Sequence, residues 1–302
     1  MININPSVSI ILPTYNRYGY FLERAVQSVI DQSYKNWELI VVDNNSSDGT
    51  LKYLKSIKNN NISILSINND GNIARSRNLG IKNASGDLIA FLDSDDFWER
   101  DKLLSSISFF NKNHEYVGVC HSEYWLSDDI KNVKNYGPES NYKFDKLLTR
   151  GNCISLSAVI LQKKCLKDVG YFSEDVDIIT AEDYDLWLKI SKLGKKIGFL
   201  TDILGNFQLH STSESSNIIR NTKAVSKVLN KHINQKDIEL YAQAQANCWI
   251  IAGKCFYKEK QIRNAFMAYC KALEFKKINP KVYIFILLLL IPYGVIRLLL
   301  EK

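Results

Sequence analysis

The stretch DLIAFLDSDD, residues 87–96, decides how this chain folds. Its apolar run predicts a buried β-strand that ends abruptly in acidic residues. Because side chains alternate along a strand, Asp93 and Asp95 are expected to point to the same side beyond its carboxyl end. Two carboxylates held there repel each other unless a cation or hydrogen-bond donors lie between them. Such oxygen ligands favour Mn²⁺ or Mg²⁺, which predicts a divalent ion that binds a diphosphate; a solvated acidic turn is the alternative.

The residues before this stretch alternate between strand and helix patterns. Apolar strands separated by helices predict an α/β fold, in which a mostly parallel sheet is covered by helices on both faces. In such sheets ligands bind beyond the carboxyl ends of the strands, so the loops that carry Tyr15, Asp43 and Asp93 are expected to converge. The predicted strands are Val8–Leu12, Glu38–Val42, Ile62–Ile67 and Asp87–Leu92, and the predicted helices include Phe21–Ile30 and Asn72–Asn83.

The middle of the chain has a mixed pattern, and the composition shifts after Ser211. Residues 1–212 are therefore expected to form one α/β domain, and residues 213–302 a helical region that follows it. In the middle region the predicted helices are Lys102–Asn111 and Ala181–Leu193, and the predicted strands are Tyr116–Cys120, Ile154–Leu161, Ile197–Phe199 and Phe207–His210.

The composition argues against several classes of protein. Of the 302 residues, 46% are hydrophobic and 24% are charged, as in ordinary globular proteins, so a disordered chain is not expected. The net charge of +7 suits phosphate-bearing ligands or an anionic membrane surface, but no basic stripe interleaved with aromatic residues indicates nucleic-acid binding. Six cysteines without a C-x-x-C pair, and a first strand in place of a secretory signal, indicate the reducing cytoplasm.

Five motifs occur in order along the first two thirds of the chain. They are PTYNR at 13–17, VVDN at 41–44, SRNLG at 76–80, LDSDD at 92–96 and AEDYDLW at 181–187. With these motifs the chain resembles the family 2 glycosyltransferases of the GT-A fold, of the type that builds bacterial cell-surface glycans. The resemblance implies a divalent metal and transfer of one sugar, with inversion, from a nucleotide-sugar donor that we expect to be a UDP-sugar. It also implies a nucleotide-binding half over about 1–100 and an acceptor half over about 101–212.

The resemblance places donor binding in the first four motifs. Asp43 is expected to accept a hydrogen bond from a base N–H such as that of uracil; a cap of a turn or helix is the alternative. Tyr15 is expected to stack on the base, or else to be a half-buried loop aromatic. Arg77 is expected to neutralise the diphosphate, or else to pair with a neighbouring acid. The whole predicted set is Pro13, Thr14, Tyr15, Arg17, Asp43, Asn45, Arg77, Ser94 and Asp93, which lies towards the ribose in the family pattern.

Glu182 and Asp183 begin a strongly apolar predicted helix. Acids at a helix start often interact only with the helix dipole, and spacing alone favours that interpretation. The resemblance instead makes Asp183 the catalytic base, because inverting transfer needs a group that removes the proton from the acceptor hydroxyl. Such positioned base catalysis contributes on the order of 10²- to 10⁴-fold. Glu182 is expected to orient the base or to bind hydroxyls of the donor sugar.

In the family pattern Asp95 ligates the metal directly. His210 lies before a Ser-rich loop over 211–217, and a histidine at the matching place in the family completes the metal site or contacts the diphosphate. A lone histidine is more often structural, which is the alternative at His210. Asp96 is expected to cap the helix that follows it, and the Ser-rich loop is expected to close over the donor.

The carboxyl-terminal part contains two features of its own. Residues of about 238–278 match the spacings of one tetratricopeptide repeat, but one repeat cannot stand alone, so an ordinary helical hairpin packed on the catalytic domain is favoured. The apolar segment 282–300 is interrupted by Pro292, and its uninterrupted part is shorter than a spanning helix. Basic residues on both sides predict an anchor that dips into the cytoplasmic leaflet; a helix buried against the hairpin is the alternative.

We therefore expect an enzyme that is peripheral on the inner face of the cell membrane and adds sugar to a glycan or a lipid-linked acceptor. One alternative is a sugar-phosphate nucleotidyltransferase, which would need a Gly-rich loop with a basic residue near the amino terminus, and Pro13–Arg17 is not one. The other is a non-catalytic nucleotide-sugar-binding or scaffold protein. The sequence does not indicate the sugar, the linkage or the oligomeric state.

Overall fold

The computed structural model describes residues 5–127, 130–209, 217–234, 237–277 and 279–289. Within these ranges nine strands form one mixed sheet. They are β1 Val8–Thr14, β2 Trp37–Asp43, β3 Ile62–Ser66, β4 Leu88–Phe91, β5 Phe97–Trp98, β6 Tyr116–Ser127, β7 Ile130–Lys134, β8 Val159–Gln162 and β9 Lys196–Gln208. The order across the sheet is β3-β2-β1-β4-β8-β6-β9-β5, and β7 pairs with β6.

Eleven α-helices are described in the same ranges. They are α1 Tyr20–Ile30, α2 Thr50–Ser56, α3 Ile73–Asn83, α4 Lys102–Lys112, α5 Phe144–Arg150, α6 Lys163–Asp168, α7 Glu182–Lys192, α8 Ile218–His232, α9 Ile238–Lys258, α10 Ile262–Phe275 and α11 Pro280–Leu288. A short 3₁₀ turn at Val176–Ile178 lies ahead of α7.

The predicted parallel core is confirmed. β1 lies between β2 and β4 and runs parallel to both, and β3 is parallel to β2. Beyond β4 the sheet becomes mixed, because β8 is antiparallel to its two neighbours β4 and β6. The carboxyl ends of β1, β2 and β4 therefore lie at one edge of the sheet, where ligands bind in α/β proteins.

Four strand predictions in the middle of the chain were wrong in their bounds. The strand predicted over Ile154–Leu161 is only β8, which begins at Val159, because the apolar residues before it are buried in a turn. The two short strands predicted over Ile197–Phe199 and Phe207–His210 correspond to the two ends of the single strand β9, which ends at Gln208 and whose exposed polar middle hides the strand pattern. The strand that begins at Tyr116 continues past Cys120 to Ser127. The short strands β5 and β7 were not predicted.

The sheet buries alternate residues of β1 in two different cores, as the strand period requires. Ile10 and Leu12 belong to the core that contains residues of α1 and α4, whereas Ile11 belongs to the core that contains residues of α3 and α7. A Cβ atom at Gly80 would lie 2.6 Å from Ile11 Cγ2, so the glycine lets α3 approach the sheet closely. This close packing fixes Arg77, one turn earlier on α3, near the carboxyl edge of the sheet.

Two of the helices that begin after residue 217, α8 and α9, pack on the α/β layer. Val228 and Leu229 of α8 belong to the same core as α7, and so do Ala244 and Cys248 of α9. α9 and α10 form a helical hairpin over the residues for which one was predicted, and the division at residue 212 stays a prediction.

Within the described ranges no helix is long and apolar enough to cross a membrane. Residues 290–300 of the predicted anchor lie outside those ranges.

Candidate active site

The loops after β1 and β2 are joined at the carboxyl edge of the sheet. Thr14 and Asp43, the last residues of these strands, are paired in register, and the backbone N–H of Asn44 donates to the Thr14 carbonyl at 2.9 Å. Asp43 is buried and accepts hydrogen bonds from the backbone N–H of Ser46 at 3.2 Å and from its hydroxyl at 2.6 Å. Asp43 therefore closes this turn, and its contact with a base stays a prediction.

Asparagine residues shape both loops. Asn16 and Asn45 have φ angles of 44° and 52°, in the left-handed region that asparagine tolerates better than most residues. The Asn16 side-chain oxygen accepts a hydrogen bond of 2.8 Å from the Ser47 backbone N–H, and the Asn16 backbone N–H donates to the Ser46 hydroxyl at 2.9 Å. These cross-links preform the edge at which Pro13, Thr14, Tyr15 and Asn45 were predicted to bind the donor.

At this edge Tyr15 is exposed, whereas the hydroxyl of Thr14 is buried. Tyr15 is 58% exposed directly beside the joined loops, which fits a platform for a base rather than a half-buried aromatic. The Thr14 hydroxyl is buried and has no hydrogen-bond partner among the described residues. A buried hydroxyl without a partner is costly unless a ligand or water satisfies it.

Arg77 on α3 bridges two carboxylates that are far apart in the sequence. It is 4% exposed; Nη2 lies 2.9 Å from Asp93 Oδ1, and Nη1 lies 2.6 Å from Glu182 Oε1. Burial alone would lower the pKa of Arg77, but the charges of Asp93 and Glu182 outweigh it and raise the pKa, so the guanidinium stays charged. The structure therefore shows the acid pairing, and a contact of Arg77 with a diphosphate stays a prediction.

Asp183 lies next to Glu182 in the first turn of α7. The Asn152 amide donates to Asp183 Oδ2 at 2.9 Å, and the Tyr184 backbone N–H donates to Oδ1 at 2.7 Å. Burial, and then the negative charge of Glu182, raise the pKa of Asp183 to about 7. A carboxylate with this pKa is suited to accept a proton near neutral pH.

A strained residue precedes these two acids. Thr180 has a φ angle of 83°, which a β-branched residue rarely adopts, and its backbone N–H donates to Glu182 Oε2 at 2.9 Å. Strain of this kind costs on the order of 1–3 kcal/mol and is found mainly at functional sites. The sharp turn lets Glu182 bind Thr180 and Arg77 at once, which fixes the start of α7.

The turn after β4 concentrates negative charge. Asp95 forms an ion pair of 3.5 Å with Arg17, so the loop after β1 also meets this turn. Asp93 and Asp95 are partly exposed and Ser94 is buried. Mg²⁺ and Mn²⁺ commonly bind two partly exposed carboxylates together with phosphate oxygens. Asp93 and Asp95 therefore fit the predicted ion.

The described residues do not form a complete metal site by themselves. Within residues 5–127, 130–209, 217–234, 237–277 and 279–289, no group of three or more His, Cys, Asp and Glu side chains is placed to hold a metal ion. His210, the second predicted ligand, lies outside those ranges. The metal site therefore stays a prediction that rests on Asp95, with Asp93 beside it.

Asp96 does not cap the following helix, which begins only at Lys102. It is buried and accepts hydrogen bonds from the Ser157 hydroxyl at 2.6 Å and from the Gln208 backbone N–H at 2.9 Å. Burial, and then the charges of Asp95 and Asp93, raise the pKa of Asp96 well above its usual value. Asp96 thus ties the acidic turn to the end of β9, just before His210.

The comparison with known proteins settles the family. The sequence profile of glycosyl transferase family 2 matches residues 9–165. The chain belongs to glycosyl transferase family 2. This glycosyltransferase is 32% identical over 239 residues to the UDP-Glc:alpha-D-GlcNAc-diphosphoundecaprenol beta-1,3-glucosyltransferase WfgD of Escherichia coli, with 78% of this chain and 89% of WfgD covered. It is 34% identical over 224 residues to WfaP of the same organism, which carries the same description, with 74% of this chain and 85% of WfaP covered.

Solved structures confirm the fold of this glycosyltransferase. The S. aureus TarS 1-349 complex with UDP-GlcNAc superposes with a TM-score of 0.59 at 18% identity, covering 89% of each chain. The mannosyltransferase PcManGT from Pyrobaculum calidifontis, in complex with GDP-Man and Mn²⁺, superposes with a TM-score of 0.63 at 17% identity, covering 93% of this chain and 78% of that one. The predicted GT-A architecture is therefore correct.

Three polar residues at the site of this glycosyltransferase were not predicted. Asn152 binds Asp183, Ser157 binds Asp96, and Glu123 is fully buried beside the acidic turn, where burial raises its pKa to about 7. The sequence patterns that could have pointed to these residues are weak. Ser157 interrupts the apolar run ISLSAVI at 154–160, and Asn152 follows a glycine after α5. Neither belongs to a motif that indicates catalysis.

Proposed function

We propose that this glycosyltransferase moves one sugar, with inversion, from a UDP-sugar to a lipid-linked glycan acceptor. The two Escherichia coli relatives support the choice of substrates, because both are described as UDP-Glc transferases that act on a GlcNAc-diphosphoundecaprenol. UDP-glucose is therefore the first donor to test. The net charge of +7 also suits a donor and an acceptor that each carry a diphosphate.

One observation carries the proposed mechanism. Arg77 links Asp93, at the end of β4, to Glu182, whose neighbour is Asp183. The acidic turn assigned to the donor and the residue assigned as base are thus held in one rigid unit, although about 90 residues of sequence separate them. Fixed placement of two reacting groups contributes strongly to the rate enhancement, because their alignment costs no entropy at the moment of reaction.

In the proposed step Asp183 acts as the general base. A carboxylate oxygen of Asp183 takes the proton of the acceptor hydroxyl while the hydroxyl oxygen forms a bond to the anomeric carbon of the donor sugar. The bond from the anomeric carbon to the diphosphate oxygen breaks, and the diphosphate leaves with the electron pair. Asn152 holds one Asp183 oxygen in place, and the pKa near 7 keeps a useful fraction of Asp183 ionised at neutral pH.

The leaving group is proposed to lie against the acidic turn. Asp95, with Asp93 towards the ribose, would hold a Mn²⁺ or Mg²⁺ ion, and His210 is the further ligand proposed from the family pattern. When bound, such an ion neutralises charge that develops on the diphosphate. Arg17, which pairs with Asp95, adds a positive charge at the same place.

The nucleotide is proposed to bind at the joined loops after β1 and β2. Tyr15 would stack on the base, and Asp43, held at the turn by Ser46, would accept a base N–H. The hydroxyl of Thr14, which lacks a partner among the described residues, is available to the ligand. Pro13, Asn45 and Ser94 complete the set of residues that we propose to bind the nucleotide-sugar donor.

We further propose that the protein is peripheral on the inner face of the cell membrane, bound through 282–300. The exposed side of α11 is apolar: Tyr283, Ile284 and Leu287 are 51%, 55% and 62% exposed. A helix that is apolar on its exposed side needs a partner surface, and nearby lysines suit anionic lipid headgroups. An acceptor on a lipid carrier would be presented at that surface.

The test is a transfer assay with purified protein, a panel of UDP- and GDP-sugars, Mn²⁺ or Mg²⁺, and a GlcNAc-diphospho-lipid in detergent micelles. We expect one UDP-sugar to give a product extended by one sugar, with the inverted anomeric configuration by NMR. A product of retained configuration would refute the mechanism. Transfer only from GDP-sugars would refute the donor assignment.

A further inference from the structure

A buried carboxylate connects the helix that carries Asp183 to α8, beyond residue 212. Asp185 lies two residues after Asp183 and is fully buried. Its Oδ1 lies 2.8 Å from His232 Nε2 and 3.0 Å from Lys231 Nζ, and its Oδ2 lies 2.7 Å from Lys189 Nζ. We call Asp185, Lys189, Lys231 and His232 the Asp185 cluster.

The carboxylate of the cluster is charged and depends on its partners. Burial alone would raise the pKa of Asp185, but the hydrogen bond with His232 and the ion pairs with Lys189 and Lys231 outweigh it and hold the pKa well below its usual value. A charged group inside a protein is tolerated only while it is paired and hydrogen-bonded. Two of the three partners come from α8, so α8 fixes α7 at its catalytic end.

His232 also contacts the element that delivers the second ligand of Asp183. Its ring packs edge-on against Phe144, the first residue of α5, with the centroids 6.4 Å apart. α5 is bound to α7 by a 2.7 Å hydrogen bond from the Tyr184 hydroxyl to the Leu147 carbonyl. The chain then leads from α5 to Asn152, which donates to Asp183. His232 therefore lies between the two helices that place Asp183 and its hydrogen-bond donor.

Other contacts of α8 fix the segment ahead of α7. Lys227 Nζ lies 3.1 Å from Asp177 Oδ2 in the 3₁₀ turn, and Lys231 Nζ lies 3.3 Å from the Ser173 hydroxyl. Val228 and Leu229 are buried in the core that contains α7. The Asp185 cluster is thus the polar centre of an extensive interface, and not an isolated surface pair.

We propose that His232 is a positioning residue for catalysis, which acts through Asp185 to keep α7 oriented so that Asp183 stays aligned with Asn152. This inference rests on the proposed function, in which Asp183 is the base. It makes α8 part of the catalytic unit, so that the functional boundary of the catalytic region lies after His232 and not at residue 212.

The test compares His232→Phe with His232→Gln in the transfer assay. Phenylalanine keeps a ring against Phe144 but cannot donate to Asp185, whereas glutamine keeps an N–H donor. We expect His232→Phe to lower kcat by about tenfold or more while KM for the donor stays within about twofold, because a small misplacement of a reacting group affects chemistry more than ground-state binding. His232→Gln should recover a large part of kcat.

The pH profile separates positioning from a general loss of structure. In His232→Phe the disturbed hydrogen bond from Asn152 favours protonated Asp183, so the acid limb of kcat/KM should move to higher pH. Lys223→Ala, an exposed change on the same helix, is the control and should leave both kcat and the limb unchanged. If His232→Phe does not fold, Lys231→Met, which removes the other α8 partner, should shift the limb in the same direction.

The outcomes are distinct. A folded His232→Phe with the kcat and pH profile of the wild type would overturn the inference, as would a change confined to donor KM. Absence of transfer in both the wild type and Lys223→Ala would instead refute the proposed function.

Discussion

Arg77 donates a hydrogen bond of 2.6 Å to Glu182 and thereby joins α3 to the first turn of α7. The pair is buried, and its second acid, Asp93, belongs to the turn after β4. A buried pair of this kind is weak evidence of net stability, but loss of one partner leaves a charge that the interior cannot solvate. The arrangement is better explained by the geometry it enforces between the donor turn and the base.

Arg77→Met should destabilise the protein strongly. It leaves Glu182 buried without its cation, which costs on the order of 3–5 kcal/mol in the free energy of unfolding. Arg75→Met is the matched control on the same helix, because Arg75 pairs with the exposed Asp70, and such surface pairs contribute about 0–1 kcal/mol. Urea unfolding monitored by circular dichroism measures both. Equal losses in the two variants would contradict the bridging role of Arg77.

Neighbouring acids in the turn after β4 should respond differently to the same change. Asp95→Asn should weaken Mn²⁺-dependent UDP binding, measured by calorimetry, by about tenfold or more if Asp95 is a ligand. Asp96→Asn should leave that titration nearly unchanged, because Asp96 is engaged by Ser157 and Gln208 and its raised pKa favours the neutral form that asparagine imitates. The opposite ranking would place the ion on Asp96.

The pH dependence of transfer should reflect Asp183. Because its pKa is raised to about 7, Asp183 is protonated and inactive as a base below that pH, so kcat/KM should fall about tenfold per pH unit on the acid side. A flat profile from pH 5 to pH 8 would contradict the assignment.

The same raised pKa has a consequence for stability. The folded state binds the Asp183 proton more tightly than the unfolded state, so stability falls as the pH rises from about 4, the unfolded value, towards 7. Asp183→Asn removes this penalty, and its gain in thermal midpoint over the wild type should grow across that interval and then level off. Equal midpoint differences at pH 4 and pH 8 would count against the buried charge.

Membrane binding should depend on the exposed face of α11. Ile284→Ser with Leu287→Ser should reduce sedimentation with vesicles that contain anionic lipids, and deletion of 282–302 should abolish it. Ile238→Ser, which changes an isoleucine that is 75% exposed at the start of α9, is the control and should bind like the wild type. An intact protein that never sediments with vesicles would reject the anchor.

The first hundred residues were predictable because local patterns there coincide with tertiary structure. Strands β1, β2 and β4 are buried on both faces, so their apolar runs mark them directly, and their carboxyl ends carry the polar residues of the site. The motif with Asp93 and Asp95 was found where the fold then placed it, at the end of β4.

The rest of the site could not be read from local patterns, because it depends on contacts between distant residues. Arg77 and Glu182 are 105 residues apart, and Asp96 and Gln208 are 112 apart. The sequence predicts a helix cap at Asp96, since aspartate is favoured at helix N-caps, whereas the fold uses Asp96 to bind β9. The contact of α7 with His232 has no signature in the sequence, and the domain boundary at residue 212 stays a prediction.

The most direct test is single-turnover transfer by Asp183→Asn, with UDP binding measured on the same preparation. Asparagine keeps the shape of the side chain and removes the proton acceptor, so transfer should be lost while UDP binds within a few-fold of the wild type. Asp168→Asn, an exposed acid on α6, should behave like the wild type. Undiminished turnover in Asp183→Asn would show that another group removes the proton, and the proposed mechanism would be wrong.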